Sequence, residues 1–285
     1  MTQPRLLVCT DLDRTLVPNG LQPESPAARG LFARFVAQDG ITLTYVSGRD
    51  LGLVEAAITD YELPVPDFAL TDVGTRIYAH DVDRWRVWSE WDDEIASDWE
   101  DYDHATLAAV FADVAALTLQ ETSKQNAHKL SYYFPANYDQ RELEAELLHR
   151  LAGHHALVSF VLSIDEVADI GLCDVVPASA TKLHAIQFLR ARLGFALEQT
   201  VFAGDSGNDL AVLTSEIPAV LVANATDEVR AAAIAGAQAA GNADALYCAR
   251  GGYLGLNGNY GAGILEGIAH YHHEHLRVIA GTSRE

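Results

Sequence analysis

The residues of this chain best suited to chemistry are carboxylates. Asp11 and Asp13 stand one residue apart at the end of the apolar run "RLLVCT", and Asp205 and Asp209 stand four apart after "TVFAG". Two carboxylates crowded at a strand end repel one another and are costly to desolvate, unless a cation sits between them or one holds a proton. The bland alternative is an Asx turn or a helix cap. In the second pair, the turn Ser206-Gly207-Asn208 sets two acids beside a glycine, which suits Mg2+, a hard ion that takes oxygen ligands. A capped strand-to-helix turn uses the same letters.

Two further places follow the same logic. In "YVSGRD", Ser47 follows a strand pattern, Gly48 lets the backbone turn, and a helical pattern begins near Asp50. A hydroxyl and free backbone N–H groups at a helix start make a phosphate cradle, or else ordinary capping. Lys182, in "PASATKLHAI", falls near the first turn of a helix, where a cation opposes the dipole. That misfit hints at an anion to neutralise.

The elements that must position these residues are short apolar runs alternating with helical patterns. "RLLVCT", "ITLTYVS" and "DFALTD" come early, and "TVFAGD" and "AVLVANA" late. Strands of this length and composition, separated by helices, indicate a parallel α/β sheet of Rossmann-like type. In such a sheet the active crevice lies beyond the carboxyl ends of the strands, where all four clusters fall. The helices carry a 3.6 period, as in Leu31, Phe32, Phe35 and Val36, or Leu183, Ile186, Leu189 and Leu193, with Gly194 as a stop. The middle reads differently: "RWRVWS", "HKLSYYF", "LVSFVLSI" and "LCDVV" are strand candidates, and helical patterns run near 103–117 and 139–152. The predicted organisation is one α/β domain, residues 1–80 and 177–285, interrupted by an α+β insert at 81–176.

The bulk properties narrow the partners. Forty acidic against nineteen basic residues among 285 give a formal net charge of -21. That argues against nucleic acid or an anionic membrane as the main partner, and means that an anionic substrate must be held by local devices. Cys9, Cys173 and Cys248 fit neither a disulfide framework nor a zinc motif. "MTQPRLLV" lacks a leader pattern and no segment offers the roughly 20 apolar residues a membrane span needs, so a cytoplasmic location is expected.

Taken together, "DLDRT", "SGR", Lys182 and "GDSGND" resemble the four motifs of the haloacid-dehalogenase superfamily of phosphatases, specifically its sucrose-phosphate phosphatase-like branch. "LTDVGTRIY", "HKLSYYF" and "YGAGILEGIAHY" extend the likeness over the whole chain. The resemblance implies that Asp11 attacks phosphorus and that Asp13 protonates the leaving sugar oxygen and then deprotonates water. Its proton affinity would be raised by the neighbouring carboxylate. It implies Mg2+ on Asp11, the Asp13 carbonyl, Asp205 and Asp209, and a phosphate held by Ser47, Gly48, Lys182 and Asn208, with Thr15 orienting the loop. The insert then corresponds to a lid that reads the sugar, with Asp72, Gly74, Lys129 and Ser131 as candidates; packing and strand pairing explain these four almost as well. Arg14 departs from the pattern, where Gly or Asn is usual.

The expected activity is Mg2+-dependent hydrolysis of a phosphorylated disaccharide, sucrose 6-phosphate first, then mannosylfructose phosphate or a glycosyl-polyol phosphate such as glucosylglycerol phosphate. A non-catalytic sugar-phosphate-binding partner of a synthase, and a mutase, are the other readings. The synthase, a glycosyltransferase, is the one protein partner suggested. Three stretches remain. "SEWDDEIASDWEDYD" reads as a solvated face of the insert with tryptophans packing its core, "GGYLGLNGNYGAG" as a mobile loop, and "HYHHEH" as a solvated face of a C-terminal helix.

Overall fold

The run Leu6–Thr10, β1, is buried along its whole length, as a strand covered by helices on both sheet faces must be. The computed structural model describes residues 5–165 and 168–280. Two compact units divide it. The first comprises the chain up to Thr71, Tyr78–Arg86 and the chain from Lys182 onward; the second comprises Asp72–Ile77 and Val87–Thr181.

In the first unit β1 pairs in parallel with β2 (Ile41–Val46) on one side, and β2 with β3 (Phe68–Thr71). The eight-stranded sheet continues on that side through β4 (Arg76–Asp81) and β5 (Arg84–Val87). Val82 and Asp83 join these last two as a two-residue turn with φ of 39° and 68°, the sign that a type I′ hairpin needs. "RWRVWS", expected in the insert, therefore begins as an edge strand of the larger sheet.

On its other side β1 pairs with β10 (Thr200–Gly204), followed by β11 (Ala219–Leu221) and β12 (Leu246–Cys248), all parallel. The strand order thus runs outward in both directions from β1. The crevice at such a switch point is where open α/β sheets bind ligands.

Helices α1 (Ala28–Val36) and α9 (Gly261–Ala280) pack together, burying Phe32, Phe35, Ile264, Leu265 and Ile268 with Leu6, Val8 and Val201 of the sheet. The glycine-rich segment before α9, expected to be mobile, is tied down. The buried Glu266 carboxylate accepts from the backbone N–H groups of Arg250 and Gly251 and from the Tyr247 hydroxyl. Gly258 has φ of 79°, and a Cβ there would lie 2.6 Å from the Gly251 nitrogen.

The second unit is a four-stranded sheet, β6 (Thr118–Leu119), β7 (Leu130–Pro135), β9 (Ile170–Pro177) and β8 (Val158–Asp165) in spatial order, antiparallel throughout. Trp99, Leu107, Phe111, Tyr132, Leu143 and Leu147 form its core with helices α4 (His104–Val110) and α5 (Gln140–Leu151). The helical pattern at 103–117 yields a helix only as far as Val110, and Phe111, its C-cap residue, packs its ring in that core against Tyr132 and Phe160. Helix α3 (Ser89–Ala96) buries Trp91 and Ile95. Its acids are not simply solvated: Asp92 pairs with Arg76 and, beyond it, Asp98 accepts from the Ser179 N–H.

Candidate active site

The carboxyl ends of β1, β2 and β10 deliver Asp11, Ser47 and Asp205 to one crevice, because the three strands are parallel neighbours. The Asp11 N–H donates to the Ala203 carbonyl at 2.9 Å, which fixes the end of β1 against β10. Asp205 leads into the turn Gly207–Asp209, where the buried Asp209 Oδ2 accepts from the N–H groups of Asp205 (3.1 Å) and Ser206 (3.2 Å). Only glycine fits at position 204, where a Cβ would lie 2.6 Å from the Asp209 Cγ.

Lys182, the first residue of α6 (Lys182–Leu193), sits in the helix turn expected, and the anions it needed are present. Its ammonium lies 2.7 Å from Asp209 Oδ1 and 3.3 Å from Asp11 Oδ1, and donates to Asn208 Oδ1 at 3.2 Å. Asp11, Asp205 and Asp209 each offer an oxygen within 4.8 Å of the others.

One lysine does not balance three buried acids. Burial raises the Asp11 carboxyl to about 7; Lys182 opposes this and Asp209 adds to it. Burial and then Asp209 raise Asp205 to about 6, against Arg14, the Thr15 hydroxyl and Lys182. Burial works against the Lys182 charge, but Asp11 and Asp209 outweigh it and hold the ammonium.

These residues fit a hard divalent cation. Asp205 Oδ1 accepts from the Thr15 hydroxyl at 3.2 Å, while Oδ2 is buried with no hydrogen bond, its nearest cation being Arg14 Nε at 3.4 Å. A buried carboxylate oxygen left open beside two more acids is the donor set that Mg2+ takes. The expected ligands Asp11, Asp205 and Asp209 come together. The Asp13 carboxylate does not join them.

Asp13 carries the main correction to the sequence reading. Burial raises its carboxyl, but the hydrogen bonds and charge of Arg49 and the Asn19 amide outweigh this and hold it below the usual range. Arg49 grips it with Nε on Oδ2 at 2.8 Å and Nη2 on Oδ1 at 2.6 Å, and Asn19 Nδ2 donates to Oδ1 at 2.7 Å. The raised proton affinity expected from Asp11 is therefore absent in this state.

Ser47 and Gly48 line the same cavity, about 360 Å³, with Asp11, Asp13, Arg49, Asp205 and Asn208. The Arg49 N–H donates to Ser47 Oγ at 3.2 Å, and the Asp50 side chain caps α2 (Leu51–Asp60) by accepting from the Leu53 N–H. Arg49 lines this cavity, and the sequence assigned it no role. It was visible inside "SGRD", but its partner lies 36 positions away.

Arg14 adopts φ of 57°, a conformation that glycine or asparagine takes more cheaply. Its loop is held by the Asn19 side chain, which accepts from the Arg14 N–H, and by Asn224 Nδ2, which donates to the Arg14 carbonyl at 2.6 Å.

The sugar-binding candidates lie in the second unit. Lys129 pairs with Asp72 at 2.9 Å, and both are buried. The Ser131 hydroxyl donates to Asp174, its cross-strand partner in the β7–β9 register. Burial, opposed by Lys129, raises the Asp174 carboxyl. Sequence reasoning passed over Asp174; its signal was an acid inside the apolar strand "LCDVV". Gly74, at φ of 95°, would bring a Cβ 3.1 Å from the Ala180 carbonyl, and its own carbonyl accepts from Trp91 Nε1.

Fold and site together define a phosphoric monoester hydrolase of the haloacid-dehalogenase superfamily. The chain belongs to the sucrose-6F-phosphate phosphohydrolase family, whose family model matches residues 4–272. A HAD-like hydrolase of Nitrosococcus oceani is 50% identical over 281 residues, covering 99% of this chain and 75% of that protein. The Arabidopsis thaliana probable sucrose-phosphatase 1 is 29% identical over 79% of this chain, which spans only 52% of the plant protein. A mannosylfructose-phosphate phosphatase of Agrobacterium fabrum is 26% identical over 80% of this chain and 86% of its own length. The fold is that of the Synechocystis sucrose-phosphatase crystallised with sucrose and phosphate, with a TM-score of 0.71 and 24% identity, covering 94% of this chain and 98% of that one. Among the described residues, no helix is long and apolar enough to cross a membrane.

Proposed function

We propose that the chain hydrolyses the phosphate ester of a phosphorylated disaccharide, sucrose 6-phosphate first, in a Mg2+-dependent reaction through an aspartyl-phosphate on Asp11. The observation that carries this reading is the buried cluster of Asp11, Asp205 and Asp209 around Lys182, with Asp205 Oδ2 open, at the floor of a polar cavity. Mannosylfructose phosphate is the next substrate, favoured by the likeness to the Agrobacterium enzyme.

In this reading an Asp11 oxygen attacks phosphorus, the bond from phosphorus to the sugar oxygen breaks, and Asp13 gives that oxygen a proton. Water then attacks the acyl phosphate, Asp13 takes its proton, and inorganic phosphate leaves. Asp11, Asp205 and Asp209 with the Asp13 carbonyl would hold Mg2+, which would supply neutralisation of charge on the transferring group. Lys182, Ser47, Gly48 and Asn208 hold the phosphate oxygens, and Lys182 offsets the charge of Asp11.

Asp13 begins as the carboxylate partner of Arg49. A phosphate dianion in the cavity competes for that guanidinium, and as Arg49 turns to it Asp13 loses the group that keeps its proton affinity low and takes up from solvent the proton it then gives to the sugar oxygen. Arg49 thus couples substrate arrival to the readiness of the acid.

The second unit, near the expected insert at 81–176, supplies sugar recognition, with Asp72, Lys129 and Ser131 as hydroxyl partners and Asp174 beside them. A glycosyltransferase that builds the phosphorylated disaccharide supplies the substrate, in the cytoplasm. The test is a phosphate-release panel of phosphorylated disaccharides and glycosyl polyols with and without Mg2+. Release that requires Mg2+ and disappears in Asp11→Asn is expected. Release equal in the variant, or none from any sugar phosphate, refutes the reading.

A further inference from the structure

Helix α9 does not run as a regular helix to its end. His272 has φ of -139° and ψ of 50°, far from helical values. On an unbroken helix residues two apart point to different faces, so His272 and Glu274 would diverge. The break instead gathers His272, Glu274 and His275 so that each offers a ligand atom within 4.8 Å of the others. His272 Nδ1 lies 3.7 Å from Glu274 Oε1, and the two imidazole centroids are 6.0 Å apart. The solvated face expected of "HYHHEH" forms only in part: His270, His273 and Glu274 are exposed, and His275 is buried.

Burial makes this arrangement informative. His275 is only 2% exposed, and its Nδ1 is buried without a hydrogen-bond partner. A buried ring nitrogen is ordinarily satisfied, so His275 Nδ1 is an open donor atom that a cation would complete. We propose that His272, Glu274 and His275 form a second metal site, for a transition-metal ion of the Zn2+ class. Two imidazoles and one carboxylate suit such an ion and not Mg2+, and three protein ligands leave a position for water.

The location separates this site from the phosphatase chemistry. The Tyr271 hydroxyl, next in sequence to His272, donates to the carbonyls of Ala219, where β11 begins, and Ala245, just before β12. The cluster therefore sits at the amino-terminal edge of the parallel sheet, whereas Asp11 and Asp205 follow its carboxyl ends. A cavity of about 350 Å³, lined by Glu198, Glu216, Asp244, Tyr271 and His272, gives an ion an acidic approach. Bound there, the metal fastens the end of α9 to the sheet.

The test is calorimetric titration of Zn2+ into untagged, metal-stripped protein kept in excess Mg2+ so that the carboxylate site is filled. About one Zn2+ per chain is expected, with a rise in thermal midpoint. Glu274→Gln and His275→Gln should each weaken binding at least about tenfold, the least that disturbing even the groups behind a metal ligand usually costs. Asp11→Asn should bind Zn2+ as the parent does. Glu274 is exposed, so its variant tests the proposal even where the histidine variant fails to fold. With Co2+ as the probe, the visible absorption of a four-coordinate site should appear in the parent and vanish in Glu274→Gln. No stoichiometric binding, binding indifferent to Glu274→Gln, or binding lost in Asp11→Asn overturns the proposal.

Discussion

The crowding of carboxylates around Lys182 has a measurable cost when no cation balances it. Burial holds the Asp11 carboxyl at about 7 where an ordinary aspartate has 3.8, so the folded chain binds a proton that the unfolded chain releases. A raised folded-state pKa stabilises fully below the unfolded value, and the contribution is lost as pH rises through the folded one. At about 1.4 kcal/mol per pH unit the whole shift amounts to about 4 kcal/mol, of which about 3 kcal/mol falls between pH 5 and pH 8. In chelator, the first unit should lose that stability over this range. Asp11→Asn, neutral at every pH, should not. Titrating groups outside the cluster, including the buried histidines, contribute alike to both proteins and cancel in the difference, which therefore reports Asp11 together with the neighbours its charge touches, Lys182, Asp205 and Asp209. Saturating Mg2+ should replace the proton and flatten the parent's curve. Urea unfolding, read by hydrogen-exchange protection of the β1 segment so that the signal comes from the right unit, measures this. Parallel curves for the parent and Asp11→Asn in chelator, or equal Mg2+ stabilisation of both, would refute the reasoning.

Two further outcomes follow from particular contacts. Arg49→Ala removes two of the three side-chain hydrogen bonds that hold Asp13 low in the free enzyme, so the alkaline limb of kcat/KM should move to higher pH while its plateau falls about 10–100-fold, the worth of one charge-assisted bond; an unaltered pH–rate profile would exclude a role for it. Gly204→Ala forces its Cβ against Asp209, so it should cost about 1–3 kcal/mol and raise the Mg2+ concentration needed for half-maximal activity. Gly207→Ala, with open space around the added methyl, should do neither, and thermal unfolding with Mg2+ titration separates the two.

What could be read in the sequence was whatever depended on local chemistry at strand ends. The apolar run before Asp11, the Ser47–Gly48 turn and the GDSGND loop each declare a strand and its exit within a dozen letters, and a parallel sheet brings such exits together. Lys182 could be flagged because a cation in a first helical turn conflicts with its surroundings. Pairing across long separations could not be read. Nothing near Asp13 announced Arg49, so proximity to Asp11 suggested the wrong direction for its titration. Asp174 stayed hidden until the β7–β9 register set it opposite Ser131. The burial of His275 was legible from periodicity, since it falls seven residues beyond the buried Ile268, whereas the break at His272 was not. The glycines before α9 suggested motion because their partner, Glu266, lies beyond them in the chain.

The position of β1 between β2 and β10 has a consequence for synthesis. One edge of "LLVCT" finds its partner soon after leaving the ribosome. The other waits for β10, and the Thr15–Asp205 contact beside it spans 190 residues. At roughly 5–20 residues per second that interval is about 10–40 s, during which a largely apolar strand carries an unpaired side. The charge cluster cannot exist in that time either, since Lys182, Asp205 and Asp209 have yet to emerge. Catalytic competence in this chain is thus among the last properties to be acquired, and the chain most exposed to misassociation is the one still being made.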